Sequence, residues 1–240
     1  MDNIPQKDIA KDMIQSNMNN HKNKPAFTII EIVMAIVVMG ILASLAMPRV
    51  DRDLKQNAAN HILSSIRFTQ HLAINDNMHE FNDPQWQRKY WRIVFSTCTG
   101  TDKYYMIGTD TDKDGSTNAD FEKTEAAIDP LSGKPLFWTG GVDCSNGGDG
   151  TVSDEIFISK KYGITGVETS GGCADATHIA FDHMGRPHHG EDFANSNRAD
   201  YAGYMKDTCT FTFTMSDGDE FAIKILPETG YAYIEEQDAS

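Results

Sequence analysis

The sequence predicts an α+β protein in which a long N-terminal helix, its first half transmembrane, packs on an antiparallel β-sheet head. Three observations predict this fold. An apolar run fills residues 27–47 and contains one ionisable side chain, Glu31. Apolar residues then recur at helical spacing over 49–79, and runs typical of β-strands follow within 80–240. The formal net charge of -14 argues against a protein that binds nucleic acid through a broad basic face.

Residues 1–26 are polar and lack a periodic apolar face, so we interpret them as a leader that is removed from the mature chain. Basic residues, including Lys22 and Lys24, lie just before the apolar run and would hold that side of it in the cytoplasm. A helix over 27–47 would be about 31 Å long, which matches the hydrocarbon core of a bilayer. We therefore assign 27–48 as a transmembrane helix and expect the rest of the chain outside the cytoplasm.

The helix is expected to continue beyond Pro48 over residues 49–79. Apolar side chains recur there with a helical period, as on an amphipathic helix that lies on a globular domain. They are Val50, Leu54, Ala58, Ile62, Ile66 and Ala73. Pro48 should kink the helix at the membrane edge or cost it a hydrogen bond.

Residues 80–240 are interpreted as a β-rich head. Runs rich in β-branched and aromatic residues predict strands at 91–96, 103–108, 155–159, 178–181, 210–215, 220–226 and 231–234. The strict alternation of 210–215, followed by a Ser-Asp-Gly-Asp turn, predicts a hairpin with 220–226. Its buried face should carry Phe211, Phe213, Phe221, Ile223 and Ile225. An insertion at 109–151 is rich in loop-forming residues.

The four cysteines all follow the apolar run and would be exported with the head. They are Cys98, Cys144, Cys173 and Cys209. An even number of exported cysteines predicts two disulfides, and the absence of a CxxC pair argues against a zinc site. Three pairings are open, of which we favour Cys98 with Cys144 and Cys173 with Cys209, because each bridge then ties a loop-rich stretch to a strand. The alternative is four unrelated buried thiols.

Glu31 needs a positive partner, because a charge within an apolar span costs several kcal/mol unless it is paired. Cleavage before Phe27 would place a new α-amino group one helical turn away, on the same or a neighbouring subunit. The segment from Ala26 to Val33, with its continuation to Pro48, resembles the prepilin signature of type IV pilins and type II secretion pseudopilins. The resemblance implies cleavage between Ala26 and Phe27, N-methylation of Phe27, and neutralisation of an adjacent N-terminus by Glu31 during assembly. Ala26 departs from the glycine usual in the family.

Three segments of the head resemble the H-type minor pseudopilins of type II secretion. They are the second half of the helix at 65–74, a strand and turn at 179–187, and a closing turn at 224–230. The resemblance implies a minor subunit with a β-rich head, no cofactor and no catalysis. The insertion at 109–151 has no counterpart in it.

The stretch from Asp110 has the D-x-D-x-D-G opening of a calcium-binding loop, in which alternate carboxylates converge on one hard cation. The expected ligands are Asp110, Asp112, Asp114, Asn118 and either Asp120 or Glu122, since Phe121 occupies the usual position of the bidentate acid. Bound calcium would stabilise the head. The alternative is a solvated acidic turn.

A second group of metal-ligand types overlaps the turn at 182–192. It comprises Asp182, His183, His188, His189, Glu191 and Asp192. Its spacing follows no helical or CxxC pattern and is weak evidence for a metal. The sequence also lacks the GxSxG, P-loop and HExxH motifs of the common hydrolases and nucleotide-binding enzymes.

Together these features predict a structural minor subunit of a type II secretion pseudopilus rather than an enzyme. Its expected location is the inner membrane, single-pass, with the head in the periplasm or on a filament. The expected partners are other pilin or pseudopilin subunits, prepilin peptidase and the inner membrane, with no nucleic acid or small-molecule substrate. The alternatives are a minor pilin of a twitching or DNA-uptake pilus, a calcium-stabilised adhesive tip subunit, and an anchored periplasmic enzyme.

Overall fold

The computed structural model describes residues 28–114, 121–189 and 203–235, and for residues 44–53 it describes the backbone alone. The chain divides into two compact units, Met1–Arg49 and Val50–Ser240. The second unit contains the later part of the N-terminal helix and two β-sheets.

Helix α1 is Ile29–Asn75. Within the second unit, one stripe of the helix is buried at the helical period predicted from the sequence. It consists of Ala58, Ala59, Ile62, Ser65, Ile66, Thr69 and Ala73. Ser65 and Thr69 are its polar members, and the Thr69 hydroxyl donates to the Ser65 carbonyl 2.9 Å away, one turn earlier. Burying this stripe against the sheets supplies the hydrophobic stabilisation of this part of the helix.

The first sheet is antiparallel and has the strand order β2-β1-β4-β5. Its strands are β1 (Trp91–Thr97), β2 (Lys103–Gly108), β4 (His178–Phe181) and β5 (Pro187–His188). The predicted strands at 91–96, 103–108 and 178–181 are therefore confirmed. Four consecutive residues of β1 are buried, as in a central strand that is covered on both faces.

The second sheet is also antiparallel and has the order β3-β6-β7-β8. Its strands are β3 (Ile164–Gly171), β6 (Cys209–Met215), β7 (Glu220–Ile225) and β8 (Ala232–Ile234). The predicted hairpin is confirmed, with Phe213 opposite Phe221. All five side chains expected on its buried face are buried. Phe95 of β1 joins the two sheets, because its ring centroid lies 5.2 Å from that of Phe211.

The predicted strand at 155–159 is wrong. A 3₁₀ helix, Asp154–Ile156, and helix α2, Ile158–Tyr162, occupy this stretch instead. The Ser153 hydroxyl caps the first by accepting from the Glu155 N–H, and Gly163 ends the second with φ of +72°. These start and stop signals override the β propensity of a short apolar run. A second 3₁₀ helix lies at Trp86–Lys89 and a third at Lys123–Glu125.

Both disulfides have the favoured pairing. Cys98 bonds to Cys144 and Cys173 bonds to Cys209. The first bridge ties the insertion to the end of β1. The second ties the loop after β3 to the first residue of β6.

The described part of the insertion covers the outer edge of β2. The Ile107 N–H donates to the Leu136 carbonyl at 3.0 Å, and the Ile107 carbonyl accepts from the Ala127 N–H at 2.8 Å. Phe121 is buried with Leu136 in the main core. The insertion therefore extends the structure of the head at this edge.

Gln70 of α1 joins the three segments of the head that carry the family resemblance. Its amide nitrogen donates to the Gly185 carbonyl at 2.8 Å and to the Thr229 carbonyl at 2.9 Å. Gly230 has φ of +64°, and a Cβ there would lie 2.2 Å from the Gly185 oxygen. The two turns thus meet at a distance that only glycine permits.

The expected fold needs two corrections. No helix in the described part of the chain combines the length and the apolar character that crossing a bilayer requires. On this finding, the transmembrane first half of the helix and the single-pass inner-membrane location are both wrong. The β-rich head also contains two separate antiparallel sheets, where the sequence predicted one.

Candidate functional site

The start of α1 is organised by Glu31 and Thr28. The Glu31 N–H donates to the Thr28 hydroxyl at 3.3 Å, and the Thr28 N–H donates back to the Glu31 carboxylate at 3.2 Å. This reciprocal pair is a capping box, in which two otherwise unpaired N–H groups at a helix start are satisfied. The sequence reasoning missed it, although the pattern Thr-x-x-Glu before an apolar run signals it. The predicted processing residues, Ala26 and Phe27, lie outside the described residues.

The first part of α1 presents large apolar side chains all around the helix. Their exposed fractions range from 49% for Val33 to 83% for Ile29. They are Ile29, Ile30, Ile32, Val33, Met34, Ile36, Val37, Val38, Met39, Ile41 and Leu42. A helix that is apolar on every face is stable in water only when something covers it. Glu31 is the one carboxylate within this surface.

Three carboxylates converge at the end of β2. Single oxygens of Asp110, Asp112 and Glu125 all lie within 4.8 Å of one another. Asp110 lies two residues beyond the strand, and the intervening Thr109 anchors this point because its hydroxyl donates to the Lys89 carbonyl at 2.6 Å. Glu125 reaches the group from the 3₁₀ helix Lys123–Glu125.

Glu125 also organises the loop that carries the other two carboxylates. Its Oε1 accepts from the backbone N–H groups of Thr111 at 2.6 Å and Asp112 at 3.2 Å. Its Oε2 accepts from the Glu122 N–H at 3.0 Å. The chain around 110–112 is thereby held against Glu125, so backbone contacts help to bring the three side chains together.

The Asp110 carboxylate is buried, and its hydrogen bonding is incomplete within the described part of the chain. The residue is 1% exposed, and its Oδ1 atom is buried with no hydrogen-bond partner among the described residues. Burial raises the pKa of this carboxyl, while the charge of Arg92 acts in the opposite direction. A buried, unpaired carboxylate oxygen costs free energy. A bound cation would supply the missing partner.

The predicted calcium ligands are only partly brought together. Asp110 and Asp112 belong to the cluster. Asp114 does not, and the charge of Asp112 raises its pKa. Glu122 instead caps the 3₁₀ helix in a reciprocal pair with Glu125.

Asn118 and Asp120 lie outside the described residues. Glu125 was missed, because it lies beyond the twelve-residue window of the loop motif. No sequence motif links Glu125 to the loop, so nothing in the sequence indicated it as a ligand.

The group around Asp182 is a structural turn. Asp182 Oδ1 accepts from the N–H groups of Met184 and Arg186, both at 2.9 Å, and Oδ2 accepts from the Arg186 guanidinium at 2.7 Å. Burial alone would raise the pKa of Asp182, but hydrogen bonds from His188 and Arg186 outweigh it and lower the pKa to about 2.

Glu191 and Asp192 lie outside the described residues. Within the described ranges, the cluster at Asp110 is the one group of three such side chains with metal-binding spacing.

In comparisons with known proteins, no protein-family model, no curated protein and no solved structure matches the chain.

Proposed function

We propose that the chain is a structural minor subunit of a type II secretion pseudopilus. In this proposal it is processed between Ala26 and Phe27 and assembles through the first part of α1. The observation that carries the proposal is the apolar surface of Ile29–Leu42, exposed on every side of the helix around one carboxylate. The resemblance of the N-terminal segment to prepilins supports it.

The corresponding helices of neighbouring subunits are the occupant that fits this surface. Close packing of apolar helices would remove it from water, at about 25 cal/mol per Å² of apolar area. The same packing would enclose the Glu31 carboxylate, which then needs a positive partner to offset desolvation. The α-amino group of Phe27 on an adjacent processed subunit would supply that charge.

The assembly role is tested by two substitutions that separate charge from helix capping. Glu31→Gln keeps a side chain that can complete the capping box and removes the charge. Thr28→Ala removes the capping hydroxyl and keeps the charge, at a cost of about 1 kcal/mol in helix stability. We expect Glu31→Gln to reduce the amount of subunit that co-purifies with filaments at least tenfold, and Thr28→Ala to leave most of it.

The measurement is quantitative immunodetection in purified filaments, with N-terminal sequencing of the same material. Sequencing should find chains that begin at Phe27. Equal incorporation of Glu31→Gln and wild type would refute the charge-pairing role. Chains in filaments that begin at Met1 would refute the processing step.

The runner-up is a minor pilin of a type IV pilus for twitching or DNA uptake, which uses the same assembly chemistry. Neighbouring genes discriminate the two: a secretin with a secretion ATPase favours the pseudopilus, and a retraction ATPase favours the pilus. An adhesive tip would need an exposed aromatic patch at Phe137 and Trp138. Both rings are half-buried against the core, and Trp138 packs edge-on against Phe157 at 5.3 Å, so this candidate loses its support.

For the acidic cluster we propose Ca²⁺ as the ligand. Carboxylate oxygens are the donors that hard divalent cations prefer, and the flexible coordination of calcium tolerates the loop geometry better than the strict octahedron of magnesium. The observation that favours a cation over a solvated turn is the buried Oδ1 of Asp110, which has no hydrogen-bond partner in the described part of the chain. Asp112 and Glu125 would complete the protein ligands within the described residues. The ion would stabilise the head.

A further inference from the structure

A groove of about 510 Å³ lies between the end of β1 and the free edge of β3. It belongs to neither the apolar helix nor the acidic cluster. Phe95 and Thr97 of β1 line one side, and Val167 and Thr169 of β3 line the other. Each side is a strand edge, so the groove presents backbone as well as side chains.

The register of β3 shows which of its backbone groups face the groove. The Gly172 N–H donates to the Thr208 carbonyl at 3.0 Å, and strand pairing continues from there with β6. Antiparallel strands alternate in the direction of their N–H and C=O groups. Counting back from Gly172, residues 168 and 170 face β6, and Val167 and Thr169 direct their N–H and C=O groups outward.

The end of β1 offers the same kind of edge. β4 pairs with β1 only as far as Val94, and the Phe95 N–H then donates to the Thr177 carbonyl at 2.9 Å. Thr97 comes two residues later and therefore directs its backbone groups to the same side. Beyond Thr177 no described strand lies along β1 on this side.

The open edge of β3 contrasts with the other terminal strands. Each of the other three terminal strands is covered, bridged or short. The insertion covers β2, and His188 of β5 forms a bridge with Tyr204. Strand β8 is three residues long. β3 has eight residues and is the longest strand in the described part of the chain. Proteins usually protect long edge strands because such edges pair readily with other chains. An edge of this length that pairs with no strand among the described residues is a candidate docking surface.

The groove has an apolar floor and a charged rim. Buried Phe95 and Phe211 lie at the floor, and Val167 packs against the core cluster that contains them. The rim carries the carboxylates of Glu168 and Asp175. Lys103 is the opposing charge on the rim, and its ammonium group donates to the Thr97 hydroxyl at 2.8 Å. An apolar floor with a net negative rim favours an apolar segment that carries basic residues.

The two disulfides fix both walls of the groove. Cys98 follows Thr97 directly and is bonded to Cys144. Cys173 lies just beyond β3 and is bonded to Cys209 at the start of β6. A groove whose walls are held in place loses less conformational entropy when a ligand binds.

We propose that this groove binds an extended, positively charged segment of another polypeptide, which adds as a β-strand along the edge of β3. Its backbone would pair with Val167 and Thr169, its alternate apolar side chains would lie on the floor of Phe95 and Phe211, and its basic side chains would meet Glu168. This mode of recognition takes affinity from the main chain and specificity from alternate side chains. It stands independently of the filament proposal.

The test is hydrogen–deuterium exchange of the full chain with a synthetic probe. The probe is a seven-residue peptide that alternates valine and threonine between two terminal lysines. We expect exchange of the outward amides in 164–171 to slow at least tenfold at saturating peptide, while exchange in 223–225, paired on both sides, stays unchanged. A peptide with N-methyl groups on its pairing edge should bind at least tenfold more weakly, because it loses two backbone hydrogen bonds.

Two variants complete the test. Thr169→Pro removes an outward N–H that β6 does not use, and proline is tolerated at such edge positions. It should abolish protection by the probe. Glu168→Gln should weaken binding about two- to fivefold, as expected for an exposed ion pair, whereas Glu228→Gln, at an exposed turn, should leave binding unchanged.

Unchanged exchange of 164–171 with the probe would overturn the proposal. Equal binding of the N-methylated peptide would do so as well. Protection of the outward amides of Val167 and Thr169 in the free chain would also overturn it, since a segment of the chain itself would then occupy the groove.

Discussion

Replacing Asp110 by asparagine should stabilise the protein in the presence of chelator and abolish its stabilisation by calcium. The reason is the buried Oδ1 atom, for which residues 28–114, 121–189 and 203–235 supply no hydrogen-bond partner. Burial raises the pKa of Asp110, so the native state holds this proton more tightly than the unfolded chain does. Without a cation, the native state therefore loses stability as pH rises through the unfolded and then the native pKa of this group. At neutral pH the buried carboxylate therefore lowers the free energy of unfolding, and asparagine removes this destabilisation.

The expected changes in stability follow from the burial of the Asp110 carboxylate and from mass-action binding of calcium. An unsatisfied buried acceptor costs about 1–3 kcal/mol, and removing its charge should recover about 1 kcal/mol of this. A loop of this type with a Kd of about 0.1 mM would gain RT ln(1 + [L]/Kd), or roughly 1.8 kcal/mol, at about 2 mM calcium. For a folded unit of this size that corresponds to a rise in Tm of roughly 4–7 °C.

The assay is thermal unfolding of the full chain in calcium and in chelator, followed by circular dichroism. Asp102→Asn is the matched control, because it removes a carboxylate close to β2 that is not part of the cluster. It should keep the calcium response of the wild type. An identical Tm for wild type in calcium and in chelator would refute the metal site. A calcium response that persists in Asp110→Asn would refute the role of this carboxylate.

Two further predictions concern the turns that hold the head together. Asp182→Asn should reduce stability near neutral pH by about 2 kcal/mol, because a native pKa of about 2 stabilises the fold above the unfolded pKa. The wild type should lose this contribution as pH falls from about 4 to about 2, and denaturant unfolding across that range measures it; parallel pH curves for the two proteins would contradict it. Gly230→Ala should cost more than Gly218→Ala, where φ is +91° and a Cβ would meet nothing within 4 Å. Both substitutions carry backbone strain of about 1 kcal/mol or more, and only the first adds a clash with the Gly185 oxygen. Equal shifts in denaturation midpoint would rule out the close approach of the two turns.

Strands were predictable where burial on one face forces alternation. β6 and β7 follow that rule, because each alternates buried and partly exposed side chains. β3 was missed. Its sequence contains Gly166, Ser170 and Gly171, and it has one strand partner, so little of it is buried and little alternation is imposed on it. Because β3 pairs with one strand among those described, its sequence shows little alternation and its other edge is accessible in the structure.

The acidic cluster was predictable in part for a different reason. Alternate carboxylates at Asp110 and Asp112 point to a cation by their spacing alone. Glu125 reaches them through a 3₁₀ turn that the sequence does not specify, because its capping partner is Glu122 and its other contacts are backbone N–H groups. A local motif can indicate the ligands within its own loop. It carries no information about a ligand that arrives from a separate element.

The structure changes the argument about Glu31. From the sequence alone, a single carboxylate in an apolar helix requires a positive partner. The capping box supplies an uncharged one, because Thr28 donates hydrogen bonds to the carboxylate within the same helical turn. Capping by itself, however, would be served equally by glutamine, since either side chain can complete the box. A charge is needed at this position only when the helix start is removed from water beside a cation. Whether Glu31 serves helix capping or filament assembly is therefore decided by the effect of its charge. The comparison of Glu31→Gln with Thr28→Ala separates the effect of this charge from the effect of capping.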